Sequence, residues 1–181
     1  MASQFLEKKF TREFEIMDVD SDGFLTKSDF ERVADNLASA MNLKTGSSES
    51  DTLHARYALW WDAVAARDTD GDGRVNLAEW LAHDLEIVAS PEIFQKLMEA
   101  GADELFKILD LDGDGVISLV EYTTWLGCYG ISDVKAKDAF QHLDTSGTGR
   151  VSLADTRERV REFYQSEDPA SPGNWLLGGV S

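Results

Sequence analysis

Acidic residues recur at every second position in three stretches of the chain. Asp18, Asp20 and Asp22 precede Gly23; Asp68, Asp70 and Asp72 precede Gly73; Asp110, Asp112 and Asp114 precede Gly115. Each stretch has a further carboxylate at its twelfth position: Asp29, Glu79 and Glu121. A weaker copy starts at Asp144, passes Ser146, Thr148 and Gly149, and ends at Asp155. This is oxygen-donor chemistry for a hard divalent cation. Calcium takes six to eight oxygens at about 2.3–2.6 Å, and carboxylates at positions 1, 3 and 5 converge when the chain curls around it. Position 6 turns sharply, which glycine does without a steric penalty. Position 7 offers a backbone carbonyl, from Phe24, Arg74 or Val116, with Arg150 in the fourth copy. Position 9 (Thr26, Asn76, Ser118, Ser152) is expected to act through water, and position 12 can bind with both oxygens.

The spacing is that of the EF-hand loop. Position 8 supports it independently: Leu25, Val75, Ile117 and Val151 are apolar and suited to a short β-bridge between paired loops. The loops are not equal. Loops two (68–79) and three (110–121) have complete acidic sets ending in Glu. Loop one (18–29) ends in Asp29, one methylene shorter, which favours the smaller Mg²⁺ or a weaker calcium site. Loop four (144–155) keeps two carboxylates, Asp144 and Asp155, and is expected to be empty or weak, retained for pairing.

The charge has the same origin. The 181 residues include 34 acidic and 17 basic side chains, a net charge of −17. Loops one to three each hold four carboxylates at positions 1, 3, 5 and 12, and loop four holds two, or 14 in all. Without them 20 acidic residues face 17 basic ones, a net of −3. The excess charge is therefore ligand, and its self-repulsion should be relieved by the ion. This acidity argues against nucleic acid and against anionic membranes as partners. No apolar run approaches the roughly 20 residues of a membrane span, and the N-terminal Met1–Phe5 segment does not read as a secretory signal. A cytoplasmic monomer is expected; a protein partner is not indicated. Cys128 is the single cysteine and reads as a buried apolar residue.

Amphipathic helices must position these loops. Leu6, Phe10, Phe14 and Met17 share a face before loop one; Phe30, Val33, Leu37 and Met41 follow it. Leu53, Tyr57, Trp60 and Val64 lead into loop two, and Trp80, Leu81 and Leu85 leave it. Ser90-Pro91 starts the next helix, with Ile93, Phe94, Leu97 and Met98 following and Gly101 as an expected break or kink. Leu105, Phe106 and Leu109 enter loop three, and Tyr122, Trp125 and Leu126 leave it. Phe140 and Leu143 precede loop four; Leu153, Val160, Phe163 and Tyr164 follow it. The fold class is all-α: four EF-hands in two pairs packed into one compact body, with short β-bridges between paired loops. The N-terminal pair spans 1–90 and the C-terminal pair 91–181, including an apolar tail over 167–181. Apolar Trp175–Val180 should fold back over a groove, as a core cap or as a lid over a ligand cavity.

Four loops of uneven spacing, one degenerate, the run Asp29-Phe30-Glu31, and Glu162-Phe163-Tyr164 before the tail together resemble the sarcoplasmic calcium-binding proteins of invertebrates and the bacterial calerythrin-type proteins. The resemblance covers nearly the whole chain. It implies a compact fold and a Ca²⁺/Mg²⁺ buffer. Coelenterazine photoproteins share that fold, but they carry a His where Val160 stands here and end in proline rather than Ser181. The expected function is an intracellular buffer taking about three calcium ions through loops one to three, with Mg²⁺ competing, above all at loop one. The alternatives are a calcium sensor with a protein partner and a photoprotein-like carrier of an apolar small molecule. A sensor would favour a Met-rich groove, whereas Met17, Met41 and Met98 are scattered among 18 aromatic residues. No enzyme is expected: His54, His83 and His142 share no catalytic spacing, and Trp60-Trp61 read as core.

Overall fold

The computed structural model describes residues 4–180, apart from the side chains of Met98 and Glu99. The Met98 side chain read from the sequence as part of this helix, and the terminal Ser181, thus lie outside what is described. The elements follow in order: α1 (Gln4–Met17), β1 (Phe24–Leu25), α2 (Lys27–Ala40), α3 (Ser48–Ala65), β2 (Val75–Asn76), α4 (Leu77–Ala89), α5 (Pro91–Leu109), β3 (Val116–Ser118), α6 (Leu119–Cys128), α7 (Asp133–Leu143), β4 (Arg150–Ser152) and α8 (Leu153–Gln165). The β-bridges form at position 8 as expected. Leu25 opposes Val75, and Ile117 opposes Val151, in two antiparallel two-stranded sheets. All four of these side chains are buried. One correction concerns Gly101: α5 runs unbroken through it to Leu109. A glycine costs a helix about 1 kcal/mol, and burial of Phe94, Ala102, Phe106 and Leu109 along the same helix outweighs that.

The helices pack into one body because several contacts join distant parts of the chain. Helix α1 lies on α4 and α8, α2 on α3 and α6, and α5 on α4 and α8. Phe10, Phe14, Phe30, Leu37, Tyr57, Trp80, Trp125, Leu126 and Phe163 form the centre of a shared core. Two polar links cross it. Lys9 on α1 is fully buried, and its Nζ donates to the carbonyls of Glu162 (3.1 Å), Phe163 (2.8 Å) and Ser166 (2.6 Å) at the end of α8. The Glu162 carbonyl also accepts from Ser166 N at 2.9 Å, and all three carbonyls lie at the negative end of the helix dipole, so an ammonium is the fitting cap. Burial pulls the Lys9 pKa down to about 8, against the pull of Glu162 and Glu167.

The second link is a buried cluster between α1, α4 and α8. Tyr164 donates its hydroxyl proton to Glu13 Oε1 at 2.5 Å. Arg67 pairs with buried Asp84 at 2.9 Å and lies over the Trp80 ring, while His83 Nδ1 stands 3.4 Å from Asp84. One guanidinium faces two carboxylates here. Burial first, and the Asp84 charge second, push the Glu13 pKa up from 4.5 to about 8, so Glu13 holds a proton at neutral pH.

The C-terminal tail docks rather than trailing in solvent. A short 3₁₀ turn over Pro172–Trp175 lies against α7 and α8. Tyr122 donates its hydroxyl between the carbonyls of Trp175 (2.8 Å) and Leu176 (3.0 Å). Trp175 stacks on His142 with ring centroids 3.8 Å apart, and Leu176 enters the core. Gly173 sits so close to Glu162 Cβ and the Arg159 carbonyl that a side chain there would collide with α8.

The Glu13 proton gives the fold a pH signature. The folded chain holds a proton that the unfolded chain releases above 4.5, so this contribution is full below 4.5 and is lost as pH rises towards 8. With calcium saturating, the unfolding free energy should fall between about pH 5 and 8, and Glu13→Gln should flatten that slope in urea titrations. An equal slope in both proteins would contradict the assignment.

Candidate metal centre

Each loop begins where its entering helix ends and closes where its exiting helix begins. The closing device is a capping box. Asn76 Oδ1 accepts from the N–H of Ala78 and Glu79, and Glu79 Oε2 accepts from Asn76 N at 3.0 Å. Ser118 with Glu121, and Ser152 with Asp155, repeat this reciprocal pattern. In loop one, Thr26 donates both its N–H and its hydroxyl to Asp29 Oδ2, each at 2.8 Å. Position 9, read from sequence as a water-mediated ligand, is therefore the helix N-cap, and position 12 is its capping-box partner.

The structure brings most of the expected carboxylates together. Oxygens of Asp18, Asp20 and Asp22 lie within 4.8 Å of one another, as do those of Asp68, Asp70 and Asp72, and those of Asp110, Asp112 and Glu121. Asp29, Glu79 and Asp114 stand outside these tight groups. Phe24 and Val116 open the first strand of each pair, and Arg74 directly precedes β2. Within each loop the acidic residues also fold the backbone. Asp18 accepts from Asp22 N and Gly23 N, Asp68 accepts from Gly71 N and Gly73 N, and Asp110 accepts from Gly115 N. The position-6 glycines all have positive φ, between 76° and 88°. Position 4 is also left-handed in all four loops, and loop one places Ser21 there with φ 58°. Non-glycine residues seldom adopt this conformation.

The missing methylene of Asp29 has a visible consequence. Glu79 Oε1 reaches across its loop to accept from the position-2 residue, Thr69 N (2.8 Å) and Oγ1 (2.9 Å). Glu121 Oε1 does the same with Leu111 N at 2.8 Å. Asp29 makes no such span; its Oδ1 is buried without a hydrogen-bond partner. Asp110 Oδ1 is likewise buried and unpartnered. A buried carboxylate oxygen without a partner is costly, and a cation satisfies it. The donor set is carboxylate and carbonyl oxygen throughout loops one to three, which suits calcium or magnesium and offers no soft ligand. Hydrogen bonds from Asn76 and Thr69 hold Glu79 below the usual carboxylate range. Burial acts to raise Glu121, but its hydrogen bonds with Ser118, Asp112 and Leu111 outweigh it and hold it low.

Loop four satisfies itself. Ser146 donates to Asp144 Oδ1 at 2.8 Å, and the N–H groups of Thr148 and Gly149 fill the rest of that carboxylate. Ser146 and Thr148 hydroxyls bond each other, and Thr148 Oγ1 donates to the Arg150 carbonyl that position 7 would offer an ion. This fits the expectation of an empty or weak loop. Arg74 and Arg150 were read from the sequence only for their position-7 carbonyls, and neither their side chains nor that of Arg32 was read as part of the site. Arg32 Nη2 lies 3.2 Å from Asp20 Oδ2, Arg74 Nη2 2.8 Å from Asp72 Oδ2, and Arg150 Nη1 3.9 Å from Asp114 Oδ2. No spacing rule announces such pairs, because two of them depend on how the chain folds back.

Comparison with known proteins agrees with this geometry. A family model described as EF hand matches residues 11–34 and 102–124, covering loops one and three whole with the ends of their entering helices and the starts of their exiting ones. Calerythrin of Saccharopolyspora erythraea is 29% identical over 167 residues, covering 91% of this chain and 92% of that protein. The beta chain of a sarcoplasmic calcium-binding protein of Penaeus sp. is 28% identical over 172 residues, covering 89% and 88%. Among solved structures, the calcium-loaded apo form of a coelenterazine-binding protein from Renilla muelleri superposes with a TM-score of 0.81 at 20% identity, covering 99% of this chain and 100% of that one. No described helix is long and apolar enough to cross a membrane. With its loops, their strand pairing and these relatives in agreement, the chain carries the EF-hand motif and is similar over about nine-tenths of its length to calerythrin and to the sarcoplasmic calcium-binding proteins.

Proposed function

We propose that this protein is a cytoplasmic Ca²⁺/Mg²⁺ buffer, a monomer and not an enzyme, that takes about three ions through loops one to three. The proposed ligands are Asp18, Asp20, Asp22, Asp29 and the Phe24 carbonyl in loop one. Loop two uses Asp68, Asp70, Asp72, Glu79 and the Arg74 carbonyl. Loop three uses Asp110, Asp112, Asp114, Glu121 and the Val116 carbonyl. The observation that carries this reading is the contrast between loops: carboxylates converge in loops one to three, with a buried unpartnered oxygen in loops one and three, whereas loop four is closed by its own hydroxyls. Two EF-hand pairs, 1–90 and 91–181, form one body, and the docked tail covers the second pair. That covering favours a buffer over a sensor, since a sensor must release an apolar groove.

A second reading is favoured by a separate observation. Trp80 Nε1 is buried in the core without a hydrogen-bond partner, and the polar atoms of Tyr57, Trp125 and Tyr129 are buried against one another. Buried donors of this kind fit an apolar ligand with a few polar atoms, and the Renilla neighbour is a coelenterazine-binding protein.

Calorimetric calcium titrations with and without millimolar-range Mg²⁺ separate the main readings. A buffer should show about three sub-micromolar sites weakened by Mg²⁺. Cooperative binding near micromolar calcium, indifferent to Mg²⁺, would instead mean a sensor. Glu121→Gln should abolish most binding at loop three and lower the stoichiometry by one; unchanged stoichiometry and affinity would refute the ligand assignment. For the carrier reading, native mass spectrometry of freshly purified protein should detect a bound small molecule. Apoprotein alone, with no uptake of added coelenterazine, would exclude that ligand.

A further inference from the structure

Three arginines stand against the proposed ligands, one for each complete loop. Arg32, on the first turns of α2, reaches back to Asp20 at position 3 of loop one (3.2 Å). Arg74, at position 7 of loop two, grips Asp72 Oδ2 through both Nε (3.2 Å) and Nη2 (2.8 Å). Arg150, at position 7 of loop four, crosses the pair to Asp114 at position 5 of loop three (3.9 Å). In each case the guanidinium holds Oδ2. In loops two and three the other oxygen, Oδ1, accepts the position-7 backbone N–H, from Arg74 and from Val116.

Arg74 and Arg150 occupy equivalent places, each in the second loop of its pair. Their different targets follow from the facing residue. In the first pair position 7 of the partner loop is Phe24, and Arg74 lies over its ring with 3.9 Å from Cζ to the centroid. This contact holds the guanidinium beside its own Asp72. In the second pair the corresponding residue is Val116, which has no ring face, and Arg150 reaches the opposite carboxylate instead.

We propose that Arg32, Arg74 and Arg150 set the ion affinity of loops one, two and three, each acting as a tethered cation on one ligand carboxylate. The proposal rests on the reading that these carboxylates bind calcium. The physical reason is direct. Arg32 and Arg74 occupy lone pairs that an ion would use, and in all three loops the arginine's positive charge sits within a few ångströms of the arriving divalent charge. Like charges at that separation repel appreciably even in water. The degenerate fourth loop thereby acquires a role in the third site: it binds weakly itself and lends its neighbour a competing cation.

The test is calcium titration of Arg32→Gln, Arg74→Gln and Arg150→Gln. Each is made in a chain where position 12 of the other two complete loops is neutralised (Asp29→Asn, Glu79→Gln or Glu121→Gln). Each variant should bind calcium more tightly than its parent, by about three- to tenfold for Arg74 and less for the longer Arg150 pair. The gain should shrink as salt is raised, because exposed charges are screened. Arg74→Lys keeps the charge and should stay near the parent value, which separates charge from the stacking on Phe24. Unchanged or weaker binding in the Gln variants, or a Lys variant as tight as Gln, would overturn the proposal while leaving the ligand assignment standing. A parent chain that binds no calcium would overturn the ligand assignment instead.

Discussion

The carboxylate at loop position 12 is the constraint around which each hand is built. Glu79 and Glu121 are tied at one oxygen to the N–H of the residue that begins the exiting helix, and at the other to the N–H at loop position 2. The same side chain therefore caps a helix and draws the start of the loop to its end. An ion at the proposed ligands would add a third tie to a carboxylate already positioned, so little side-chain freedom remains to be lost. It also explains why the strand pairs can form. The position-8 side chains Leu25, Val75, Ile117 and Val151 reach the core only if the loop before the cap is closed.

Loop one shows what happens when this carboxylate is shortened. Asp29 still caps α2 through Thr26, so the helix start is preserved. Its second oxygen does not reach the start of the loop and stays buried without a partner. The residue that follows, Phe30, packs on Trp60 and Trp61 with centroids 5.7 and 5.6 Å away. Any tightening of loop one around an ion must therefore pass directly into the α2–α3 aromatic contact. The mutual repulsion of Asp18, Asp20 and Asp22 opposes closure until a cation neutralises it.

How much of this could be read from residues alone follows from how local each feature is. The loops, their bridges and the helices that flank them are set within a dozen residues by spacing and turn chemistry, and all were legible. The capping boxes were legible in principle, since Thr26, Asn76, Ser118 and Ser152 each precede an acidic residue by three positions, but the metal pattern masks them. The buried polar links were not legible. Lys9 is capped by carbonyls more than 150 positions away, and Glu13 meets Tyr164 across the same distance. Both sit on a helix whose polar positions look solvent-facing by periodicity. Only the docking of α8 on α1 turns them inward. Gly101 failed as a helix breaker for a related reason: tertiary burial along α5 outweighs a local propensity of about 1 kcal/mol.

Loop four is closed by its own side chains, and that closure is structurally useful. Hydroxyls of Ser146 and Thr148 stand where carboxylates would repel, and they bond to Asp144, to each other and to the position-7 carbonyl. The loop thus keeps a bound shape with no ion to hold it, and β4 stays in register to pair with β3. Its partner, loop three, has Asp110 Oδ1 buried and unpartnered with the carboxylates of Asp112 and Glu121 close by. One self-closed loop therefore templates the strand edge on which a charged, ion-demanding loop is folded. The tail reinforces the same pair, since Tyr122, the residue after Glu121, holds the carbonyls of Trp175 and Leu176. The C-terminal pair is in this way pre-organised from both sides of its proposed site. In the N-terminal pair both loops are complete acidic sets, so neither offers its partner a self-closed template of this kind.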